Sequence, residues 1–194
     1  MTGKAPSLRA EGATPATRPR RGRPEETRRR LVAAAGVEFN RQGYAAVDSN
    51  EIARAAGYSP GTFYKHFPDK LAIFVAVYAE WVAEEWRDIE AILARGGTPL
   101  ELVRAVVDLH RRWRGLRRSL RALVAEDAGV RRAYLEARAR QLDTLARLRR
   151  GRRREEHALL LYLVERTADA IADDEPAALG LVEEKLLAGL VARL

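Results

Sequence analysis

The sequence predicts an all-α fold, in which a small N-terminal group of three helices precedes a larger helical body. Apolar residues recur at three- and four-residue intervals along most of the chain after residue 24, as on one face of a helix. No segment shows the sustained alternation of apolar and polar residues that is typical of strands. Of the 194 residues, 47% are apolar, so the chain is large enough for a substantial hydrophobic core.

The composition excludes several classes of protein. The absence of cysteine excludes disulfides and thiolate metal sites. The three histidines, His66, His110 and His157, form no metal-binding pair, so we expect no metal, no cofactor and no enzymatic activity. The longest purely apolar run, Ala158 to Val164, is too short to cross a membrane, and the N-terminus lacks an apolar signal core. We therefore expect a cytoplasmic protein without a membrane partner.

The positive charge is concentrated at the N-terminus. Residues 1–30 contain nine basic and three acidic side chains, and so hold six of the eight excess positive charges. Residues 1–24 are rich in Pro, Gly, Thr and Arg without apolar periodicity, which predicts a disordered basic arm. Such an arm on a nearly neutral body indicates a polyanionic partner, although a solubilising tail is the alternative.

The first helix is expected to run from about Pro24 to Arg41 and to stop at Gly43. Leu31, Ala35 and Phe39 lie four residues apart and form its inner stripe.

The next two helices are predicted to form a helix-turn-helix. Asp48 and Glu51 resemble a capping box at the start of the second helix, and Pro60 stands at the start of the third after Ser59. Ala53 is the small residue needed where the helices cross, and Gly57 suits a tight turn with a positive φ angle. An ordinary helical hairpin is the alternative. The residues expected to face inward are Ile52, Ala56, Phe63 and Phe67.

Residues 27–71 resemble the N-terminal domain of the TetR family of regulators. The resemblance is carried by Thr27-Arg-Arg-Arg-Leu31, by Gly43-Tyr44, and above all by Ser59-Pro-Gly-Thr-Phe-Tyr-Lys-His-Phe67 with Lys70. It implies a helix-turn-helix DNA-binding domain over residues 25–70 and a helical effector-binding and dimerisation domain over residues 71–194. It further implies a homodimer on a palindromic operator of double-stranded DNA and, usually, repression relieved by a small-molecule effector.

The resemblance and side-chain chemistry together give the expected DNA contacts. The third helix would point its N-terminus at the DNA, where Gly61 allows close approach and Thr62 reaches a base edge. Lys70 resembles the family's phosphate clamp. In the arm, Arg-Gly-Arg-Pro is similar to an AT-hook and would lie in an A·T-rich minor groove, with non-specific phosphate attraction as the alternative. The predicted DNA-binding residues are Arg20, Arg21, Arg23, Ser49, Ser59, Pro60, Gly61, Thr62, Tyr64, Lys65, His66 and Lys70; packing against neighbouring helices is the alternative for Tyr64 and His66.

Three features depart from the family's pattern. Gly36 and Glu38 stand in the first helix where leucines are usual, and Val47 stands where threonine is common. Asp48 occupies a capping position where Ser or Thr often touches phosphate. Either the Asp48 carboxylate turns fully toward the helix amides or this phosphate contact is lost, in which case Ser49 takes it over.

The C-terminal body is expected to consist of long helices. A helix begins after Asp69, and a second apolar face from Leu102 to Leu123, with a bend at Gly115, follows the break at Gly96-Gly97-Thr98-Pro99. Another helix includes Val130 to Leu148, and the last two span about 155–172 and 176–193. The residues expected to face inward on the helix after Asp69 are Leu71, Phe74, Val75, Tyr78, Val82, Trp86, Ile89 and Leu93.

The last two predicted helices carry more apolar surface than one chain can bury. This favours a four-helix dimer interface formed by two copies, with a large intrachain core as the alternative. The residues assigned to the interface are Leu159, Leu163, Leu179, Val182, Leu186 and Leu190.

An effector pocket is predicted where aromatic and polar residues interrupt the apolar stripes. Core aromatics with satisfied polar atoms are the alternative. The arginines at 111–121 and 147–154 are expected on solvated faces. The predicted pocket residues are Trp81, His110, Trp113, Tyr134 and Gln141.

The leading hypothesis is a ligand-responsive repressor specific for an operator. A nucleoid-type binder without sequence preference is less consistent with the nearly neutral body, and a scaffold without DNA binding is less consistent with the intact Ser59 to Lys70 segment.

Overall fold

A computed structural model describes residues 24–193 of the chain. This part contains helices and no β-strand, which confirms the predicted all-α class. Its ten helices are α1 (Pro24–Gln42), α2 (Ser49–Ala55), α3 (Pro60–His66), α4 (Lys70–Ala94), α5 (Pro99–Arg112), α6 (Arg114–Glu126), α7 (Ala128–Leu148), α8 (Arg154–Ala172), α9 (Glu175–Ala178) and α10 (Glu183–Val191). Within the described range, no helix is both long and apolar enough to cross a membrane.

The first three helices pack around an aromatic and aliphatic core. The predicted α1 stripe of Leu31, Ala35 and Phe39 is fully buried. The ring of Phe39 meets the ring of Phe74 on α4 edge-on, at 5.4 Å between centroids. This core continues without interruption into α6 and α7, and both α4 and the packing of α1 on α6 join the N-terminal helices to the rest of the chain.

The buried face of α4 differs from the expected stripe. Phe74 and Tyr78 are buried as predicted, together with Ile73, Val77, Trp81 and Glu85. Leu71, Val75 and Val82 are half-buried and pack against the same core, and the half-buried Ile89 packs against apolar side chains of α5, α8 and α10. Trp86 is half-buried as well, so Leu93, which is exposed, is the residue of the predicted stripe that the structure corrects.

The predicted helix from Leu102 to Leu123 is divided into α5 and α6. The break falls at Trp113, two residues before the predicted bend at Gly115. Thr98 and Glu101 form a reciprocal capping box at the start of α5, and Pro99 occupies the first turn. These signals fix where α5 begins, and the close approach of α6 to α1 decides where it ends.

A second core lies between α5, α8 and α10. It contains apolar side chains from all three helices, among them Val103, Val107, Ile171, Leu187 and Leu190. One face of α8 therefore lies in this core, and its opposite face lies at the surface.

The C-terminal segment corrects the prediction of one helix over 176–193. The chain forms the short α9, leaves helical geometry at Gly180 with a φ of +67°, and resumes as α10 at Glu183. Leu179 and Val182 therefore lie in the connection, where they are exposed. Leu186 is half-buried, and Leu190 is buried in the chain's own second core, so Leu190 is withdrawn from the predicted interface.

Candidate DNA-binding surface and effector site

The second and third helices form the predicted helix-turn-helix. Ile52, Ala53 and Phe63 are fully buried, and Gly57 adopts a φ of +80°, which a residue with a side chain would rarely tolerate. Phe67 closes the unit at the end of α3, where its ring receives the guanidinium of Arg28 at 4.5 Å. The buried side chains thus hold α3 in a fixed orientation with its opposite face in solvent.

The carboxylate of Asp48 points at the amides of α2. The backbone N–H of Glu51 donates to Asp48 Oδ1 at 2.7 Å, and this hydrogen bond lowers the pKa of the Asp48 carboxyl. Glu51 does not return the bond of a full capping box but accepts from Gln42 Nε2 at 2.9 Å. Of the two alternatives for Asp48, the structure has the one in which the carboxylate turns toward the helix, beside a half-buried Ser49.

The outer face of α3 presents most of the predicted DNA-binding residues. Tyr64 is 55% exposed although tyrosine is a large, partly apolar side chain, and Lys65 next to it is exposed too. A Cβ atom added at Gly61 would meet nothing within 4 Å, so the backbone itself is the surface there. Thr62 is half-buried with its Oγ1 at 3.1 Å from Ser59 Oγ, and His66 is half-buried at the end of the helix. Ser59 and Pro60 are exposed at its start.

Lys70 is bound to the loop between α1 and α2. Its Nζ donates to the carbonyl oxygens of Tyr44 at 2.9 Å and Val47 at 2.8 Å, and lies 4.2 Å from the centroid of the Tyr44 ring. A lysine ammonium has three donor hydrogens, so one remains for another acceptor. Lys70 therefore holds the loop, a role that the sequence pattern did not indicate. The predicted arm residues Arg20, Arg21 and Arg23 lie outside the described residues.

The C-terminal body contains a cluster of buried charged side chains that the sequence analysis missed. We define the buried charge cluster as Glu85, His110, Arg117, Arg138, Glu165 and Asp169, which come from α4, α5, α6, α7 and α8. Arg117 was predicted on a solvated face, but it is only 4% exposed because α6 turns it toward α8. The available signal was the spacing of Glu165 and Asp169, which places two carboxylates on one face of a mainly apolar helix.

The members of the buried charge cluster pair with one another. Arg117 donates from Nε and Nη2 to the two oxygens of Asp169 at 3.1 and 2.9 Å. Arg138 donates from Nη1 and Nη2 to the two oxygens of Glu165. His110, fully buried, lies with Nδ1 2.9 Å from Asp169 Oδ1 and Nε2 3.8 Å from a Glu85 oxygen. Burial by itself favours the neutral imidazole, but the hydrogen bond with Asp169 and the nearby negative charge of Glu85 outweigh it and raise the pKa of His110. Burial would also raise the pKa of Asp169, yet the bonds from His110 and Arg117 lower it.

The predicted pocket residues do not line one cavity. Gln141 borders a cleft of about 300 Å³ between α4 and α7, whereas Trp81 and Trp113 border a groove of about 680 Å³ between α1 and α4. Tyr134 lines a third cavity, of about 330 Å³, between α6, α7 and α8. His110 lies in the buried charge cluster and lines none of these three spaces. The sequence placed aromatic and polar residues near the interior correctly, but which helices face each other decides which cavity each one lines.

Gly36, one of the departures from the family pattern, lies against Trp113. A Cβ atom at Gly36 would come within 3.3 Å of the Trp113 ring. The large indole thus occupies space that a leucine at position 36 would fill, which gives this departure a physical reason.

Apolar side chains are exposed on α8 and just after α9. Leu159 is 67% exposed and Leu163 39%, and Tyr162 between them is also exposed. Leu179, Leu181 and Val182 are exposed in the connection between α9 and α10. Tyr162 and Leu181 were not among the predicted interface residues.

Comparisons with known proteins find a family and a relative that the N-terminal part of the chain resembles. Residues 31–77 match the family described as "Bacterial regulatory proteins, tetR family". An uncharacterized HTH-type transcriptional regulator, YdgC of Bacillus subtilis (strain 168), is 32% identical over 76 residues. This match spans 39% of the chain and only 39% of that relative, well under two thirds of its length.

Solved structures with the same fold cover most of the chain. A putative TetR-family transcriptional regulator from Rhodococcus sp. has a TM-score of 0.69 at 17% identity, over 87% of this chain and 96% of that one. A putative transcriptional regulator from Saccharomonospora viridis, in complex with choline, has a TM-score of 0.65 at 21% identity, over 86% and 94%. Thermus thermophilus FadR, a TetR family transcriptional repressor in complex with lauroyl-CoA, has a TM-score of 0.60 at 24% identity, over 85% and 91%.

Proposed function

Since its N-terminal domain belongs to the TetR family of bacterial regulatory proteins, we propose that this chain is a homodimeric regulator that binds a palindromic DNA operator. In this function it represses transcription until a small-molecule effector binds the C-terminal body. The observation that carries the proposal is the outer face of α3, where Tyr64 and Lys65 project from a helix anchored by buried Phe63.

The chemistry of this face fits the major groove of DNA. An α-helix fits that groove, where a tyrosine hydroxyl or a lysine ammonium reaches base edges and phosphates. The bare backbone at Gly61 allows the first turn of α3 to approach the DNA closely. Lys70 and Ser49 flank the unit and supply donors for phosphate contacts that fix its orientation, and the arm adds Arg20, Arg21 and Arg23 for the minor groove.

The exposed apolar residues of α8 and of the α9–α10 connection support the dimer. Large side chains such as Leu159, Leu163 and Leu179 lose contact with water when a second copy covers them. A two-fold dimer places two copies of α3 on one side of the DNA, about 34–36 Å apart, which is one helical turn.

The proposal is tested by selecting DNA fragments with the purified protein and sequencing them. We expect enrichment of one inverted repeat. On that operator, Tyr64→Ala and Lys65→Ala weaken binding by about tenfold each, which is the loss of one good contact. The matched control is Lys185→Ala, an exposed lysine on α10 whose removal leaves binding unchanged. Fragments without a common sequence, or equal binding by all these variants, would contradict the proposal.

A further inference from the structure

The cavity between α6, α7 and α8 lies beside the buried charge cluster, four of whose side chains line it. Its volume is about 330 Å³, within the usual range of small-molecule sites. Its apolar wall comes from Leu120 and Val124 on α6 and from the rings of Tyr134 and Tyr162. Its polar wall comes from four arginines, Arg117, Arg121, Arg138 and Arg166, and two carboxylates, Glu165 and Asp169.

The carboxylate oxygens of this cavity already have donors. Both oxygens of Glu165 accept from Arg138, and both oxygens of Asp169 accept from Arg117. Asp169 Oδ2 also lies 3.0 Å from Nη1 of Arg121. A ligand cation would have to displace one of these arginines, since a carboxylate that accepts two or three hydrogen bonds from cations has little capacity left.

The hydrogen-bonding capacity that remains belongs to donors. The hydroxyl oxygen of Tyr134 accepts from Arg138 Nη2 at 2.7 Å, which leaves its own proton for an acceptor. Arg138 Nε is buried without a partner. At the rim, the exposed Arg121 pairs with Asp169 and Asp173, and the exposed Arg166 pairs with Glu175. A guanidinium has five N–H donors, so each of these arginines still has donors for a further acceptor. The unused donors select for an acceptor, and a carboxylate is the acceptor that guanidinium groups bind most strongly.

We propose that this cavity binds an organic anion, with a carboxylate against Arg121 and the Tyr134 hydroxyl and an apolar body against Leu120, Val124 and Tyr162. This inference rests on the proposed function in one respect, because it names the chemical class of the effector. The anion would join α6, which packs on α1, to α8, which carries the exposed apolar face. Its binding therefore acts on the two parts of the chain that set the position of α3 in a dimer.

The test is calorimetry on the full chain without DNA. The probes are three carboxylates, benzoate, indoleacetate and octanoate, each paired with the amine of the same apolar body, namely benzylamine, tryptamine and octylamine. Acetate represents the charged group alone, and inorganic phosphate represents an anion without an apolar body. We expect at least one of the three carboxylates to bind ten times or more tighter than its amine and than acetate or phosphate.

Variants place that binding in the cavity. Arg121→Gln should weaken the best carboxylate about tenfold, and Tyr134→Phe about fivefold. The matched control is Arg118→Gln, which removes an exposed arginine of the same helix that pairs with Asp173 and does not line the cavity. It should change the dissociation constant by less than twofold. All three positions are exposed or half-buried, and thermal unfolding verifies that each variant is folded.

Several results would overturn the inference. One is that none of the three carboxylates binds, and another is that an amine binds as tightly as its carboxylate. A third is that neither cavity variant changes carboxylate binding, which would place the ligand elsewhere, as in the cleft between α4 and α7. Operator binding by the ligand-free protein is measured separately. If the protein binds its operator but no carboxylate, the inference fails and the proposed function stands. If a carboxylate binds in the cavity but the protein binds no specific DNA, only the proposed function is contradicted.

Discussion

The side chain of Asn40, near the end of α1, caps the start of α6 at Gly115. Asn40 Oδ1 accepts from the backbone N–H groups of Gly115 at 3.0 Å and Leu116 at 3.2 Å, while its Nδ2 donates to the carbonyl of Arg112 at 2.7 Å. A Cβ atom on Gly115 would lie 2.0 Å from the carbonyl oxygen of Asn40. The N-terminal helices are therefore joined to the C-terminal body by a contact that only glycine permits.

Gly115→Ala should destabilise the protein. The added methyl group forces α6 away from α1, which costs roughly 1–3 kcal/mol and lowers the melting temperature by several degrees. Gly61→Ala is the matched substitution in open space, and it should leave stability equal or raise it by up to about 1 kcal/mol. Thermal and urea unfolding measure both. If α3 approaches DNA as proposed, Gly61→Ala weakens operator binding despite its stability; equal stabilities of the two variants would contradict the role of Gly115.

Lys70→Met should lower stability as well as DNA affinity. It removes the ammonium that binds the carbonyls of Tyr44 and Val47, and two such charge-assisted hydrogen bonds contribute about 2–4 kcal/mol. If the third donor of Lys70 reaches a phosphate, the slope of log affinity against log salt also falls by about 0.9. Urea unfolding measures the first effect and salt titrations of DNA binding the second. Unchanged stability would contradict the loop contact, and an unchanged slope would limit Lys70 to holding the loop.

His110 should make stability depend on pH. Its pKa in the folded protein is raised, so its contribution is complete below its unfolded pKa of about 6.5 and is lost as pH rises through the folded pKa. When protonated, His110 gives the buried charge cluster three cations against three carboxylates. Urea unfolding from pH 6 to pH 9 should show a falling free energy of unfolding for the native chain and a flatter profile for His110→Gln. His66→Gln, on the α3 unit, is the control and should keep the native slope.

The acid side of the profile involves Asp169. Its pKa is lowered in the folded protein, so its contribution is present above its unfolded pKa of about 4 and is lost as pH falls. We therefore expect the free energy of unfolding to be greatest between about pH 4, the unfolded pKa of Asp169, and about pH 6.5, the unfolded pKa of His110. If the free energy of unfolding depends on pH identically in the native chain and in His110→Gln, His110 does not contribute to that dependence.

Leu163→Asp, combined with Leu159→Asp, should convert the proposed dimer to a monomer. Two carboxylates buried at an interface lose hydration without gaining partners. Sedimentation at micromolar concentration should give twice the chain mass for the native protein and the chain mass for the variant. Val37→Asp, at an exposed apolar residue of α1, should stay dimeric. A native protein that sediments as a monomer would contradict the dimer and the palindromic operator with it.

Deletion of residues 1–22 should weaken DNA binding more on some operators than on others. It removes Arg20 and Arg21 and a net charge of +4, and leaves Arg23. A minor-groove contact costs more where A·T-rich flanks narrow the groove and concentrate negative potential. The measurement compares both proteins on two operators that differ only in their flanks. Equal losses would reduce the arm to phosphate attraction, and no loss would leave it as a solubilising tail.

The sequence alone predicted the features that depend on local periodicity and turn chemistry. The inner stripe of α1, the buried Ile52 and Phe63, and the positive φ angle of Gly57 follow from residues close together in the chain, and the structure confirms them. The TetR resemblance rests on the same short segment, where residue types are constrained by both the turn and the outer face. The division of the last helix at Gly180 departs from the prediction because the apolar spacing continues across that glycine in the sequence.

Only the tertiary structure decided how distant helices face one another. Arg117 and Asp169 are separated by 52 positions. The spacing of Glu165 and Asp169 indicates that two carboxylates share a face of α8, but no local pattern identifies Arg117 as their partner. Leu190 likewise fits an interface or a core equally well by periodicity, and the packing of α10 on α5 and α8 buries it in the chain's own core. A helical stripe shows that a side chain needs a partner, whereas the partner's identity depends on how loops and packing orient the helices in space.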